Sequence, residues 1–492
     1  MRTRIGSGGV AVLVGTSLWL GTQAARAQEA VPATTPAPAG SAAAPTTGDD
    51  TAPLPVPTEL VRAQPGGITA DAVGLRAGAT SWNARASLET VRGAAARVAE
   101  AWASFLPRLS GVGSYTRLSE FTPPAISLAP VTSGGNNPMQ TNFSFPLVFN
   151  NWLLQGTLTV PISDYLLQLD QKYTAATRSE EAARWDYVTA RSGSAAKGKV
   201  AYYTWLNARG QVIVAVQALN DQRTHLRDAR NQFAAGNASK ADVLRAETSV
   251  ASAELALEKA KNLSDLSEKQ VRVAIHGRDE EALVPGEDLD APLAPVQGSL
   301  KQMTLEALAA RPEVKSAEAN AEAARKQAAA AKSARWPVIS AFADGIVANP
   351  NPRVFPQAQT TFPTWDVGAK ITWAPNDVLT ADGAVTEAES RAASTEANKY
   401  NTRDGIEVEV TQYWQAVHEA DFSIEASTRE LSSAQEAYRV ARELFNNGRG
   451  TSTTLTDAES DLTRARLDLL TSKSNARIAR IQLEHALGRD VR

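Results

Sequence analysis

Residues 233–260 read FAAGNASKADVLRAETSVASAELALEKA, and residues 445–472 read FNNGRGTSTTLTDAESDLTRARLDLLTS. Offset by 212 positions, they superpose Phe233 on Phe445, Gly236 on Gly448, Val243 on Leu455, Ala246-Glu247 on Ala458-Glu459, Val250 on Leu462 and Leu257 on Leu469. The likeness continues upstream as a spacing: Val212, Leu219, Leu226 and Phe233 step by seven, as do Ile424, Leu431, Tyr438 and Phe445. A strict repeat of seven keeps one apolar seam on one face of a supercoiled helix, so each copy reads as a coiled-coil hairpin. Gly236 and Gly448 stand where each long helix must stop, because glycine takes the left-handed conformation that a helix end needs.

The 492 residues therefore read as one architecture used twice. A formal charge of −3 and a pI near 6.0 offer no basic field for nucleic acid. No apolar run is long enough for a membrane-spanning helix. Arg2 and Arg4, an apolar stretch at 10–20 and Ala25-Arg26-Ala27 read as a Sec-type signal peptide over 1–27, cut after Ala27, so the chain is expected to be exported. It has no cysteine. Stability is then expected to come from packing or assembly, and no lipid anchor on a processed N-terminal cysteine is expected.

Residues 28–66, rich in Ala, Pro and Thr, read as a disordered leader. A first structural repeat over 67–302 and a second over 303–492 follow the same plan. In the first, an Ala-rich helical pattern over 68–106 ends at Pro107, and a segment at 109–118 precedes a Pro, Gly and Asn loop. Residues 152–160 then alternate as a strand: Trp152, Leu154, Gly156, Leu158 and Val160 share one face. A helix of some 70 residues over 164–235, about 105 Å long, leads to the Gly236 turn and a return helix. In the second, a helix over 312–335 leads through Trp336-Pro337 to a strand at 338–347. Trp365, Val367, Ala369, Ile371 and Trp373 then alternate with Asp366, Gly368, Lys370 and Thr372. A second long helix over 384–446 and its return helix complete the chain.

The clearest strands are nine or ten residues, the length that crosses an outer membrane when tilted. Trp365 and Trp373 stand about 27 Å apart at about 3.4 Å per residue, which suits aromatic girdles at two interfaces; Trp152 suits the same role. Four strands have two open edges that lipid cannot satisfy, so the sheet is expected to close with copies of itself. The fold class is then mainly α with a small β part: long coiled-coil hairpins forming an α-barrel, continued by a transmembrane β-barrel with four strands per chain, closed by trimerisation.

In these features the chain resembles the TolC family of outer-membrane efflux channels. The likeness rests on the paired F-x-x-G turns, the D-V-L-x-A-E run at 242–247 with its looser copy at 454–459, the R-P-E-V stretch at 311–314 and the helix-Pro-strand junctions. It spans about residues 68–488. It implies a homotrimer with a 12-stranded barrel in the outer membrane and a 12-helix tunnel through the periplasm. Phe233, Gly236, Phe445 and Gly448 would then form periplasmic tip turns that dock a membrane-fusion adaptor and, through it, an inner-membrane transporter. Acidic residues after the second turn line the entrance in many members; here Asp457 occupies one such position and Thr454, uncharged, the other, while the first turn carries Asp242. A ring of Asp457 side chains would favour cations in a narrow mouth. Asp457 and Asp242 equally suit a helix N-terminus electrostatically.

His225, His276, His418 and His485 are scattered and read as solvated helix positions, with no metal-ligand spacing. No G-x-S-x-G, Walker A or G-x-G-x-x-G pattern is present, and the acidic residues read as wet helix faces. The chain is expected to be neither an enzyme nor a cofactor carrier. Its expected function is a passive exit duct of a tripartite efflux pump or type I secretion system. The alternative is a soluble periplasmic coiled-coil adaptor or scaffold, which the second hairpin and the Trp-edged strands disfavour.

Overall fold

In the computed structural model of the chain, residues 53–56, 61–120, 126–127, 142–143, 149–277, 283–355 and 359–491 are described. The chain divides into two units, Met1–Asp50 and Thr51–Arg492, and every described residue lies in the second. The expected signal peptide and the leader up to residue 52 lie outside the described residues.

Helix α1 spans Ala70–Thr80 and α2 spans Trp82–Ala103. The single helical pattern expected across both is broken at Ser81, whose ψ of 130° lets its hydroxyl accept from Ala84 N–H while its own N–H still reaches Ala77 O. The hydroxyl of Ser194 also donates to Ser81 Oγ at 2.8 Å, tying the break to the first long helix. Strands β1 (Arg108–Arg117) and β2 (Asn150–Val160) follow. After one turn at Ile162–Asp164 and a π-helical turn at Tyr165–Leu169 comes α3 (Asp170–Ala234), 65 residues and about 98 Å long, with α4 (Lys240–Ile275) returning beside it.

The second half begins with α5 (Leu300–Ala310) and α6 (Pro312–Lys332), then β3 (Val338–Asn349) and β4 (Phe362–Thr372). Helices α7 (Pro375–Asn446) and α8 (Ser452–Ala486) form the second hairpin. Two of the boundaries that shift from expectation involve proline. Helix α7 starts nine residues earlier, because Pro375 at its first turn lacks only an N–H that a helix leaves unpaired there anyway. Strand β4 starts before Pro363, a residue tolerated because β4 is an edge strand.

The heptad seam of α3 does what its spacing requires. Val212, Leu219 and Leu226 are buried in one cluster with Val243, Val250 and Leu257 of α4. Each such side chain contributes about 1.5–3 kcal/mol on full burial. Near the turns the cluster also takes in Ala441 and Phe445 of α7 and Leu455 of α8, so the hairpins are fused there. A second face of α3 meets α8. Ser474 Oγ donates to Tyr203 O at 3.1 Å, and a side chain on Gly210 would collide with Leu470. Further on, Asp221 binds Arg466 at 3.0 Å and His225 meets Glu459.

The four strands form one antiparallel sheet in the order β1-β2-β3-β4. Its register places Leu109, Gly111, Gly113, Tyr115, Trp152, Leu154, Gly156, Leu158, Ala341, Ala343, Gly345, Val347, Trp365, Val367, Ala369 and Ile371 on one face. Among the paired positions of that face only Arg117, at the end of β1 opposite Asn150, is charged. The other face carries Gln155, Thr157, Asp344, Asp366 and Lys370, and there both Thr157 Oγ1 and Gln155 Nε2 donate to Asp344 Oδ1.

Candidate functional site

The two turns are built by the same backbone device and finished differently. In the first, Gly236 (φ +80°) bonds Phe233 O through its N–H, and Asn237 N–H returns to Gln232 O at 2.9 Å. In the second, Gly448 (φ +68°) bonds Phe445 O, and Arg449 N–H returns to Leu444 O at 2.9 Å. Nothing lies within 4 Å of a Cβ added to either glycine, so only the left-handed backbone demands glycine there.

Asp242 closes the first turn as half of a capping box. Its Oδ2 accepts from Ser239 N–H at 3.0 Å and Ser239 Oγ at 2.7 Å, while Arg245 reaches its Oδ1 at 3.3 Å. Those Ser239 hydrogen bonds, with the Arg245 charge, hold its pKa below the ordinary carboxylate value. In the second turn the N-cap Thr451 accepts from Thr454 N–H, and the two threonine hydroxyls lie 2.9 Å apart, so Thr454 stands where a capping carboxylate would. Asp457 is exposed, with no ion-pair partner among the described residues. Side chains cross from one turn to the other: Gln232 Nε2 donates to Asn446 O at 3.1 Å, and Arg245 Nη1 donates to Thr453 Oγ1 at 3.5 Å.

The duplicated phenylalanines occupy unlike surroundings. Phe445 is 6 % exposed, inside the shared cluster, whereas Phe233 is 45 % exposed with the Lys240 ammonium 5.9 Å above its ring. At the sheet, Trp152 and Trp365 lie in strands on the mostly apolar face, and Trp373 falls one residue past β4. A family model described as outer membrane efflux protein matches residues 79–276 and 304–489.

This chain belongs to the outer membrane efflux protein family.

Solved structures share the fold of this efflux protein at low identity. CusC, whose structures concern folding and transmembrane channel formation, matches with a TM-score of 0.72 and 18 % identity over 89 % of this chain and 97 % of that one. The outer membrane protein VceC of Vibrio cholerae gives 0.67 and 17 % over 85 % and 96 %. The open state of the MtrE outer membrane channel of Neisseria gonorrhoeae gives 0.67 and 17 % over 85 % and 88 %. No curated protein sequence matches the chain.

One group in this efflux protein reverses an expectation. His225 is not solvated: it is 2 % exposed, with Nδ1 3.1 Å from Glu459 Oε2, Nε2 3.4 Å from Ser452 Oγ and the Phe445 ring edge-on at 5.3 Å. Glu459 is likewise no wet-face acid, at 3 % exposure, and burial pushes its pKa up while the His225 hydrogen bond pulls it down. Its repeat partner Glu247 is half-buried and meets Arg230 instead. The offset of 212 hides this difference, since it aligns His225 with Ala437. The signal available in sequence was a histidine beside the heptad residue Leu226, and that position faces α8 rather than α4.

Proposed function

We propose that this protein is the outer-membrane exit duct of a tripartite efflux assembly, three copies closing a 12-stranded barrel above a 12-helix periplasmic tunnel. The carrying observation is the sheet: one face whose only charged paired position is Arg117 at the end of β1, and two edge strands, β1 and β4, that run antiparallel to each other. Placing β4 of one copy beside β1 of the next continues the alternation around a closed ring and leaves no edge for lipid to satisfy. Three copies supply twelve strands, within the range of bacterial barrels. Tyr115, Trp152 and Trp365 lie toward one rim of this mostly apolar face, where Arg117 ends β1, with exposed Trp336 and Trp373 at the other rim, in the pattern of interface girdles.

At the opposite end, the turns form the periplasmic tip. Phe233 is the exposed aromatic anchor for a periplasmic membrane-fusion adaptor, which links the duct to an inner-membrane transporter. Asp457, exposed on α8, becomes a ring of three carboxylates that favours cations at the mouth, flanked by the uncharged Thr454; Asp242 serves its helix cap. The duct is passive, and transport energy comes from the transporter. The chain reaches the outer membrane after Sec export.

Single-channel recording in planar bilayers tests this reading, with light scattering of the detergent complex for copy number. Discrete steps from a trimer, with cation preference reduced in Asp457→Ala, are the expected result. A monomer that stays soluble without detergent and forms no steps would overturn the duct; steps indifferent to the substitution would remove Asp457 from the mouth.

A further inference from the structure

Of the two stretches of the leader that lie within the described residues, 53–56 and 61–66, the first sits on α3. Asn220, half-buried near the middle of the first hairpin, accepts from Leu54 N–H through Oδ1 at 2.7 Å and donates to Leu54 O through Nδ2 at 2.8 Å. One side-chain amide thus satisfies both backbone groups of one residue. The neighbouring side chains alternate: Leu54 and Val56 are half-buried and pack on the cluster of Val212, Val216 and Leu219, while Pro53 and Pro55 face outward.

We infer that Asn220 and the apolar surface beside it form a peptide-binding site on the first hairpin, whose ligand is an extended apolar segment interleaved with prolines. Its resident occupant is this chain's own residues 53–56.

Four features fit recognition rather than chance contact. An amide bracket on N–H and C=O requires a residue that still has an N–H; in 53–56 only Leu54 and Val56 do, since proline has none. Period-two burial is the geometry of an extended ligand placing alternate side chains in a groove. The prolines restrict the free segment toward the extended form, which lowers the entropy lost on docking. Leu54 and Val56 are also the only large apolar side chains between Val31 and Leu60, so the leader offers one place to bind.

Tethering makes a short ligand sufficient. Ile68 bridges Pro285, beside Tyr202 of α3. Tyr202 and Asn220 are about 27 Å apart along the helix, and the twelve residues from Val56 to Ile68 reach up to about 40 Å. A span within reach sets an effective concentration near the millimolar range, so a weak tetrapeptide stays seated.

The test is hydrogen exchange on the full chain in detergent, by mass spectrometry with fragmentation that localises the label at Leu54. The Leu54 amide is expected to exchange at least about tenfold more slowly than in a free synthetic peptide of residues 50–60, its one hydrogen bond being to Asn220. Asn220→Ala should restore the free rate while α4 keeps its protection. The paired substitution Leu54→Ser with Val56→Ser, which leaves the hairpins untouched, should do the same. A free rate in the wild type would overturn the site, as would protection that survives both variants.

Discussion

His225 of α3 and Glu459 of α8 lie 3.1 Å apart with side chains 1 % and 2 % exposed, a buried pair that joins the first repeat to the second. The second imidazole nitrogen faces the Ser452 hydroxyl, which donates or accepts as the tautomer requires. Around them stand Asp221 with Arg466, and Tyr438, whose hydroxyl burial pushes up to about 12.

Removing one partner should cost more than removing both. His225→Ala leaves a buried carboxylate without its counterpart and is expected to lose about 3–5 kcal/mol, while His225→Leu with Glu459→Leu loses markedly less. Denaturant unfolding of the detergent-solubilised protein measures both. The loss in His225→Ala should shrink toward acid pH as Glu459 takes up a proton. Equal midpoints for wild type and His225→Ala would show that the pair contributes nothing.

The duplicated phenylalanines should part company. Phe445→Ala opens a cavity in the shared cluster and is expected to cost about 3–5 kcal/mol. Phe233→Ala, at an exposed position, should stay within about 0.5 kcal/mol of wild type. Thermal melts of the two variants decide this, and equal losses would contradict the surroundings described.

Arg311 ends α5 and begins α6; it is 5 % exposed and binds both Glu313, at 3.0 Å, and Glu409. Arg311→Met should cost about 3–5 kcal/mol by stranding two carboxylates. Burial alone would raise the Glu313 pKa, but the Arg311 hydrogen bond and charge outweigh it and hold the group below 4.5. Its contribution is therefore present above about pH 4.5 and is lost as pH falls through the lower folded value. Acid titration of stability should show that loss in the wild type and not in the variant.

His485 donates from Nδ1 to Asp490 Oδ2 at 2.7 Å, and this hydrogen bond raises its pKa above 6.5 against the opposing effect of burial. A raised histidine adds stability that is complete below pH 6.5 and disappears as pH rises through the folded value. Asp490→Asn should therefore lose about 1.5–3 kcal/mol at pH 5.5 and much less at pH 9, read from melting temperatures at the two values. A loss independent of pH would exclude the charged hydrogen bond.

Much of the architecture was legible because it is written in short-range periods. The step of seven marked both long helices, and the alternation at 152–160 and 365–373 marked two strands. Element starts were less legible: Pro363 and Pro375 look like breaks in a linear reading, yet an edge strand and a first helical turn each accommodate a missing N–H. Of the site, the turn glycines could be read directly, since a left-handed backbone needs them. The capping role of Asp242 was visible as one of two readings, and the burial of His225 was signalled only by its place beside the heptad residue Leu226.

The sequence by itself determined that this protein has two coiled-coil hairpins, glycine turns and alternating strands, because helix and strand periods depend only on the chain's own geometry. Tertiary structure alone decided how duplicated residues diverge. Phe445 and Glu459 are buried while Phe233 is exposed and Glu247 half-buried, because α3 carries a second seam against α8 built from Gly210, Asp221 and His225. A seam of small and polar residues leaves no hydrophobic period to read. Its burial is set by the neighbour across the gap.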